Sequence, residues 1–448
     1  MSHLFLLIPP AVALALAVAA PALSEGPTDR LLHRLNAAAR QVTVFENVNV
    51  IPMDVDRVLS NQTVVIRQGR IFQIGHADSA PVPENAQRID GRGKYLIPGL
   101  ADMHFHLQGA EADPEEINAC LLFFVANGVT TVRSTLGKPN HIEIRDKIKT
   151  GQLFGPNLYL ACPSIHSKSI TTVTAAREFV FQSKTEGYDL IKLHDISDST
   201  IYDAAIQAAK QVSLPYFGHV TSEIGIDRAL KASQSIEHLC GYLEALEVDK
   251  NGLPALLRAT RDANVWNCPT QSFYECLYER DINKVTAYEG MAYLPSTLRE
   301  TWIQKKQQEI IEYAAVEEEQ MRKLEVRRQI LRALHDGGAK ILLSSDTPGK
   351  FRVPGFAIVE EMRAFARAGL SPYAILETGT RNPADYLGIL DEGGTVEVGK
   401  RADLILLETN PLENVDHILN RAGVMLGGTW FEREELDAAA KTAAAALD

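Results

Sequence analysis

Two periodicities divide this chain. From 42 to 97, short runs rich in β-branched residues, Val42-Thr-Val-Phe, Thr63-Val-Val-Ile-Arg and Arg70-Ile-Phe-Gln-Ile, are bounded by Asn, Asp and Gly, as the strands of a small antiparallel sheet are. The same grammar returns only after Gly393, in Gly394-Thr-Val-Glu-Val-Gly-Lys-Arg-Ala-Asp-Leu-Ile-Leu-Leu and Gly423-Val-Met-Leu-Gly-Gly-Thr-Trp. This pattern predicts one β domain, a small β-sandwich, assembled from both chain ends over 42–97 and 393–436. Between them, apolar runs of strand length alternate with helix-like segments, the pattern of parallel strands joined by crossover helices. The runs are 100–106, 130–134, 157–161, 189–194, 216–220, 235–238, 265–268 and 340–346. Eight such runs within 98–392 predict an α/β fold of the (β/α)8 kind, a TIM-like barrel whose chemistry gathers at the C-terminal ends of the strands.

One insertion breaks the rhythm. Residues 270–302 carry Phe273, Tyr274, Tyr278, Tyr288 and Tyr293 and lead into a charged helix reaching Leu334. These rings predict either a lid over the barrel mouth or packing of the insertion onto the barrel. The helix charges predict a solvated face.

At 448 residues, the chain has room for a barrel of about 250 residues and a smaller satellite. The formal net charge of -12 argues against a general nucleic-acid or anionic-membrane binder and leaves small molecules as partners; self-association into a homo-oligomer stays open. The five cysteines are scattered, odd in number and without a Cys-x-x-Cys pair, so no disulfide framework is expected. The run from Leu4 to Ala20, interrupted by Pro9-Pro10, is followed by Ala19-Ala20-Pro21-Ala22-Leu23-Ser24. It reads as a secretory signal over 1–24, which implies an exported, periplasmic or secreted protein with no membrane contact once mature. The alternative is an uncleaved anchor, for which the run is short.

Charged and polar groups then fall where barrel chemistry needs them. His104 and His106 close the first run two residues apart and share one face of a strand. Lys192 points inward, and a neutral amine beside metals can take up CO2 as a carbamate; His194 lies on the same face. His219 ends the fifth run and His238 the sixth. Asp346 closes Ile-Leu-Leu-Ser-Ser-Asp, where a buried acid requires a cation or several donors. Six nitrogen and oxygen donors thus end strands one, four, five, six and eight.

Taken together, Pro98-Gly-Leu-Ala-Asp-Met-His-Phe-His, the inward Lys192, Gly218-His219, Ile236-Glu-His238 and Ser345-Asp346 resemble the metal-ligand signature of the amidohydrolase superfamily. The segment from Gly394 to Ile405 is similar to that family's returning β segment, and the resemblance extends over 42–436. Within the superfamily it resembles the branch of imidazolonepropionase-like hydrolases and prolidase-like dipeptidases. That resemblance implies two divalent ions, most simply Zn2+, one held by His104, His106 and Asp346 and the other by His219 and His238, with carbamylated Lys192 as the bridge. It further implies a metal-bridging hydroxide attacking an amide carbonyl of a dipeptide or N-acyl amino acid, with Asp346 as general base and then acid.

Where that branch has a Gly-Gly-His-like turn after strand three, this chain has Ser164-Ile-His-Ser-Lys-Ser169. His166 and His194 are expected to meet the substrate, and Arg133 and Arg352, with Lys350 nearby, to clamp a carboxylate. Rival expectations are lactone or ester hydrolysis, a deaminase with one metal and a Glu near the third histidine, and a non-catalytic scaffold. The nearest acid for a deaminase, Glu223, is one residue beyond the usual His-x-x-Glu spacing. A scaffold predicts lost ligands, and all six are present.

Overall fold

The computed structural model describes residues 26–37 and 41–448; the expected signal segment lies outside the described residues. Strands Thr43–Val50, Leu59–Arg67 and Arg70–His76 form an antiparallel meander. Thr43–Val50 also pairs in parallel with Gln87–Asp90 and Tyr95–Pro98. Tyr95–Pro98 then pairs antiparallel with Leu404–Leu407, which continues into Arg421–Leu426 and Thr429–Glu432. Both chain ends therefore share one sheet of eight strands. The hydrogen bonds give one continuous sheet, not the two separately bonded faces of the expected sandwich. Its apolar side gathers Phe45, Val64, Leu96, Leu404 and Trp430, with the Phe45 ring edge-on to Trp430 at 5.5 Å. The stretch before Leu404 stays irregular because Gly394 and Gly399 adopt φ of 81° and 93°, which strands do not accommodate.

The apolar run from Tyr95 to His106 is two strands, Tyr95–Pro98 and Leu100–Phe105. Gly99 is the seam, since a Cβ there would stand 2.1 Å from Thr130 Oγ1. Leu100–Phe105, Val129–Ser134 and Asn157–Leu160 form one parallel sheet. Ile165–His166, Ile191–Asp195, Tyr216–Gly218, Ser235–Glu237, Trp266–Cys268 and Lys340–Ile341 form a second. The two sheets meet at a bridge between Ala161 and Leu190 and at another between Phe105 and Thr347. Helices such as Pro114–Ala126, Ser199–Gln211 and Glu317–Asp336 alternate with the strands, giving a mixed α/β fold consistent with a TIM-like barrel. All eight expected parallel strands are present, most of them shorter at their C-terminal ends, where the backbone turns away into the site. The two-residue strand Ile165–His166 was not expected.

The insertion folds as Gln271–Tyr278, Ile282–Thr286, a short 3-10 turn over Glu289–Tyr293, and Ser296–Glu312. Tyr288, Tyr293 and Trp302 pack with Val285 and Met291 onto Phe123, Phe356 and the C-terminal helix Arg433–Ala445. Those rings serve packing. Phe273 and Tyr274 instead lie over the guanidinium groups of Arg352 and Arg327.

Candidate metal centre

The C-terminal ends of the parallel strands bring the six expected donors into one neighbourhood. His106 Nε2 lies 3.1 Å from Asp346 Oδ1, and His104 Nε2 lies 3.6 Å from the same oxygen. His238 Nδ1 lies 3.9 Å from Asp346 Oδ2 and 2.7 Å from Thr270 Oγ1. The imidazoles run in an unbroken row, His106, His104, His238, His219, His194 and His166, with successive ring centroids 5.1, 4.6, 4.9, 4.2 and 4.4 Å apart. Three non-glycine residues of this rim, His238, Thr270 and Asp346, adopt left-handed φ of 59°, 46° and 54°. Such conformations persist only where surrounding contacts hold them.

Metal binding has a physical test in the unused polar atoms. His104 Nε2, His194 Nδ1 and Lys192 Nζ are buried with no hydrogen-bond partner, a costly state for a protein interior. Donor atoms of His104, His106 and Asp346 all lie within 4.8 Å of one another. Imidazole nitrogens and a carboxylate suit a divalent ion such as zinc, so these residues fit the implied group. Lys192 is 1% exposed; burial, aided by the Arg133 charge, pulls its ammonium below the ordinary lysine range against the opposing pull of Glu237 and Asp346. Asp346 goes the other way. Burial disfavours its charge, but His104, His106, His238 and Arg352 hold its carboxyl well below the usual range.

The sequence expectations missed the support beneath this rim. Glu237 Oε2 takes His104 Nδ1 at 2.5 Å, and Arg133 Nη2 donates to Glu237 Oε1 at 2.7 Å. A carboxylate behind a metal-ligating histidine fixes its tautomer and aims the other nitrogen. The signal was available in Ser235–Glu237, a three-residue, fully buried strand, because glutamate is almost never buried unpaired. Asp102, also fully buried, accepts from Ser345 N at 2.9 Å and from His104 N at 3.2 Å, tying the first strand to the loop that carries Asp346. A second group of possible donors, His104, Glu237 and Cys268, belongs to this support: Glu237 is already engaged, and burial raises the Cys268 thiol well above its ordinary value.

Two expected substrate contacts need correction. Arg133 is fully buried and donates to Met103 O at 2.6 Å and to the Tyr386 hydroxyl at 2.8 Å, besides Glu237. It braces the floor and does not clamp a substrate. Arg352 is 3% exposed; its Nη1 donates to Ser345 O at 2.8 Å and stands 3.7 Å from Asp346 Oδ2. It steadies the acid. Lys350 is paired with Glu309 at 3.1 Å. His166 and His194, half-buried, extend the imidazole row past His219.

Gly218 shows how tightly the backbone is drawn here. With φ of 152°, a Cβ would stand 1.7 Å from Leu193 O. Gly218→Ala is expected to destabilise the protein by about 3 kcal/mol and to displace His219; an unchanged denaturation midpoint would contradict this.

Metal-free protein should be acid-sensitive. Burial pushes His104, His141 and His194 down to about 4, and His219 and His238 well below their ordinary value. An unfolded histidine takes its proton near 6.5, so on descending from neutral pH the unfolded chain binds protons that the folded chain refuses, and stability falls. Asp102 and Glu361, raised by burial to about 6 and about 7, have the opposite sign: the folded chain holds their protons, and their contribution is lost as pH rises. The five histidines outnumber the two carboxyls, each group being worth about 1.4 kcal/mol per pH unit. The urea midpoint of metal-free protein should therefore drop between pH 7 and pH 5; a flat or rising midpoint would contradict the balance.

Comparison with known proteins agrees with this geometry at the level of fold. A solved Xaa-Pro dipeptidase with methionine bound in its active site superposes with a TM-score of 0.67 at 22% identity, covering 88% of this chain and 100% of that one. Imidazolonepropionase of Rhizobium rhizogenes is 23% identical over 391 residues, 82% of this chain and 92% of that protein. Adenine deaminase 2 of Shouchella clausii is 36% identical over 90 residues, so the match spans 20% of this chain but only 15% of the deaminase. The Amidohydrolase family model matches residues 95–431. The chain belongs to the amidohydrolase family, a family of hydrolases acting on carbon–nitrogen bonds.

Proposed function

We propose that this protein is a binuclear metal-dependent hydrolase that cleaves an amide bond of a dipeptide or N-acyl amino acid. The observation that carries the reading is the gathering of His104, His106 and Asp346, whose donor atoms lie within 4.8 Å of one another, with His104 Nε2 and Lys192 Nζ buried without a hydrogen-bond partner. The dipeptidase likeness supports the choice of amide. In this reading the eight parallel strands close into a barrel over 98–392, with the shared sheet over 42–97 and 393–436 as its satellite domain. The apolar run before Ser24 supports export.

His104, His106 and Asp346 would hold one ion, His219 and His238 the other, and Lys192 would bridge them as a carbamate. Carbamate formation joins the neutral amine nitrogen to CO2 with loss of one proton, which suits an amine whose charged form burial disfavours. Bound divalent ions supply Lewis acidity and lower the pKa of water. The chain's own part is proton handling and orientation. Asp346 Oδ1, ionised and flanked by two imidazoles, accepts the proton of the attacking water and returns it to the leaving nitrogen. Arg352 steadies its other oxygen, Glu237 keeps His104 aimed, and His166 and His194 orient the substrate carbonyl.

Deamination is the second reading, favoured by the deaminase relative. It needs an acid near the third histidine, and Glu223 is exposed and accepts from Ser222 Oγ at 3.1 Å, a poor fit. A panel of dipeptides, N-acyl amino acids, lactones and aminopurines separates these: free amino acid from the amides supports the proposal, while ammonia alone or hydroxy acid alone would replace it.

A further inference from the structure

The helix Gln271–Tyr278 begins in an unusual way. Its N-cap, Thr270, is a residue type whose hydroxyl ordinarily accepts from the first-turn N–H groups. Here Thr270 has left-handed backbone and makes no side-chain cap bond. Its Oγ1 turns inward to His238 Nδ1 at 2.7 Å. The first-turn donors go to another element. Glu361, fully buried on helix Ala357–Arg367, accepts from Gln271 N at 2.8 Å and Ser272 N at 2.6 Å.

A second buried charge grips the same corner. Arg327, 1% exposed on helix Glu317–Asp336, donates through Nη1 to His238 O at 2.8 Å and through Nη2 to Pro269 O at 2.9 Å. Its guanidinium carbon lies 3.4 Å from the Tyr274 ring centroid. Burying a carboxyl and a guanidinium that bond mainly to backbone and not to each other is expensive in stability, and a helix start exposed to water would need neither. What the pair achieves is a fixed backbone from Pro269 to Ser272 and a threonine hydroxyl free of capping.

We propose that Thr270 is the positioning residue for His238, released from its capping role by Glu361 and braced by Arg327. In this role Thr270 Oγ1 accepts from Nδ1–H, which fixes the tautomer and leaves the His238 Nε2 lone pair free for an ion. The aromatic insertion thereby acts on the site from outside, through its first helical turn. This rests on His238 being a metal ligand, as in the proposed function.

Zinc titration of the metal-free protein by calorimetry tests it, with melting of the metal-free forms recorded alongside. Thr270→Val should weaken one binding step by about 10–100-fold with the other step unchanged, and Thr270→Ser should restore it. Thr270→Ala replaces the isostere if Thr270→Val does not fold. Glu361→Gln should weaken the same step and add little on top of Thr270→Val, because both act through one hydroxyl. A Thr270→Val protein that binds as wild type, a Thr270→Ser protein as weak as Thr270→Val, or a parallel fall of both steps with melting temperature would overturn the proposal. A wild type with a single binding step contradicts the two-ion reading instead, and the Thr270→Val and Thr270→Ser comparison on that step still decides the positioning role.

Discussion

Lys192→Met should abolish turnover while making the metal-free protein more stable. Lys192 Nζ is buried with no hydrogen-bond partner, and an unsatisfied buried polar group costs about 1–3 kcal/mol. Methionine fills nearly the same space without that cost, so the denaturation midpoint of metal-free protein should rise. Activity should fall by more than about 100-fold, beyond the loss seen when a mere supporting residue is removed, and zinc content should drop together with it. The opposed signs matter, because a generally damaging substitution lowers both quantities. Unchanged zinc content and turnover would refute the carbamate assignment.

Asp346→Asn should reduce kcat by about 10²–10⁴-fold, the usual contribution of a positioned proton-transfer group, with a much smaller change in KM. The amide cannot accept a proton from water, yet it keeps the shape that His106 Nε2 meets at 3.1 Å and that Arg352 approaches at 3.7 Å. Steady-state kinetics at measured zinc loading check this. A KM effect with kcat intact would make Asp346 a binding residue and remove it from the proton path.

The expected donors stood out in the sequence because apolar runs of strand length carry a chemically distinct side chain within or just after them, which is a local pattern. Strand order and the resemblance to the amidohydrolase signature together led to His104, His106, Lys192, His219, His238 and Asp346 being expected in one place. Arg133 was misplaced for a physical reason: a guanidinium at a strand end looks the same in sequence whether it faces a ligand or a buried carboxylate such as Glu237, and that pairing spans 104 positions. Thr270 and Glu361 were invisible on similar grounds, since a helix cap supplied from another helix leaves no local pattern. The single bonded sheet was not legible because alternation within a strand identifies a sheet face but not which strands share hydrogen bonds. Pairing of Tyr95–Pro98 with Leu404–Leu407 joins segments from opposite ends of the chain and leaves no local trace. The insertion's rings divided between packing and the site because aromatic content says nothing about direction.

The most direct measurement is zinc-titrated hydrolysis by the full chain, following release of free amino acid from a dipeptide and N-acyl amino acid panel as metal is added back to metal-free protein. At least one amide should be cleaved, with no cleavage without metal and a rise until two equivalents are bound. Cleavage that is complete without metal, or no carbon–nitrogen bond broken at any loading, would contradict the proposed function.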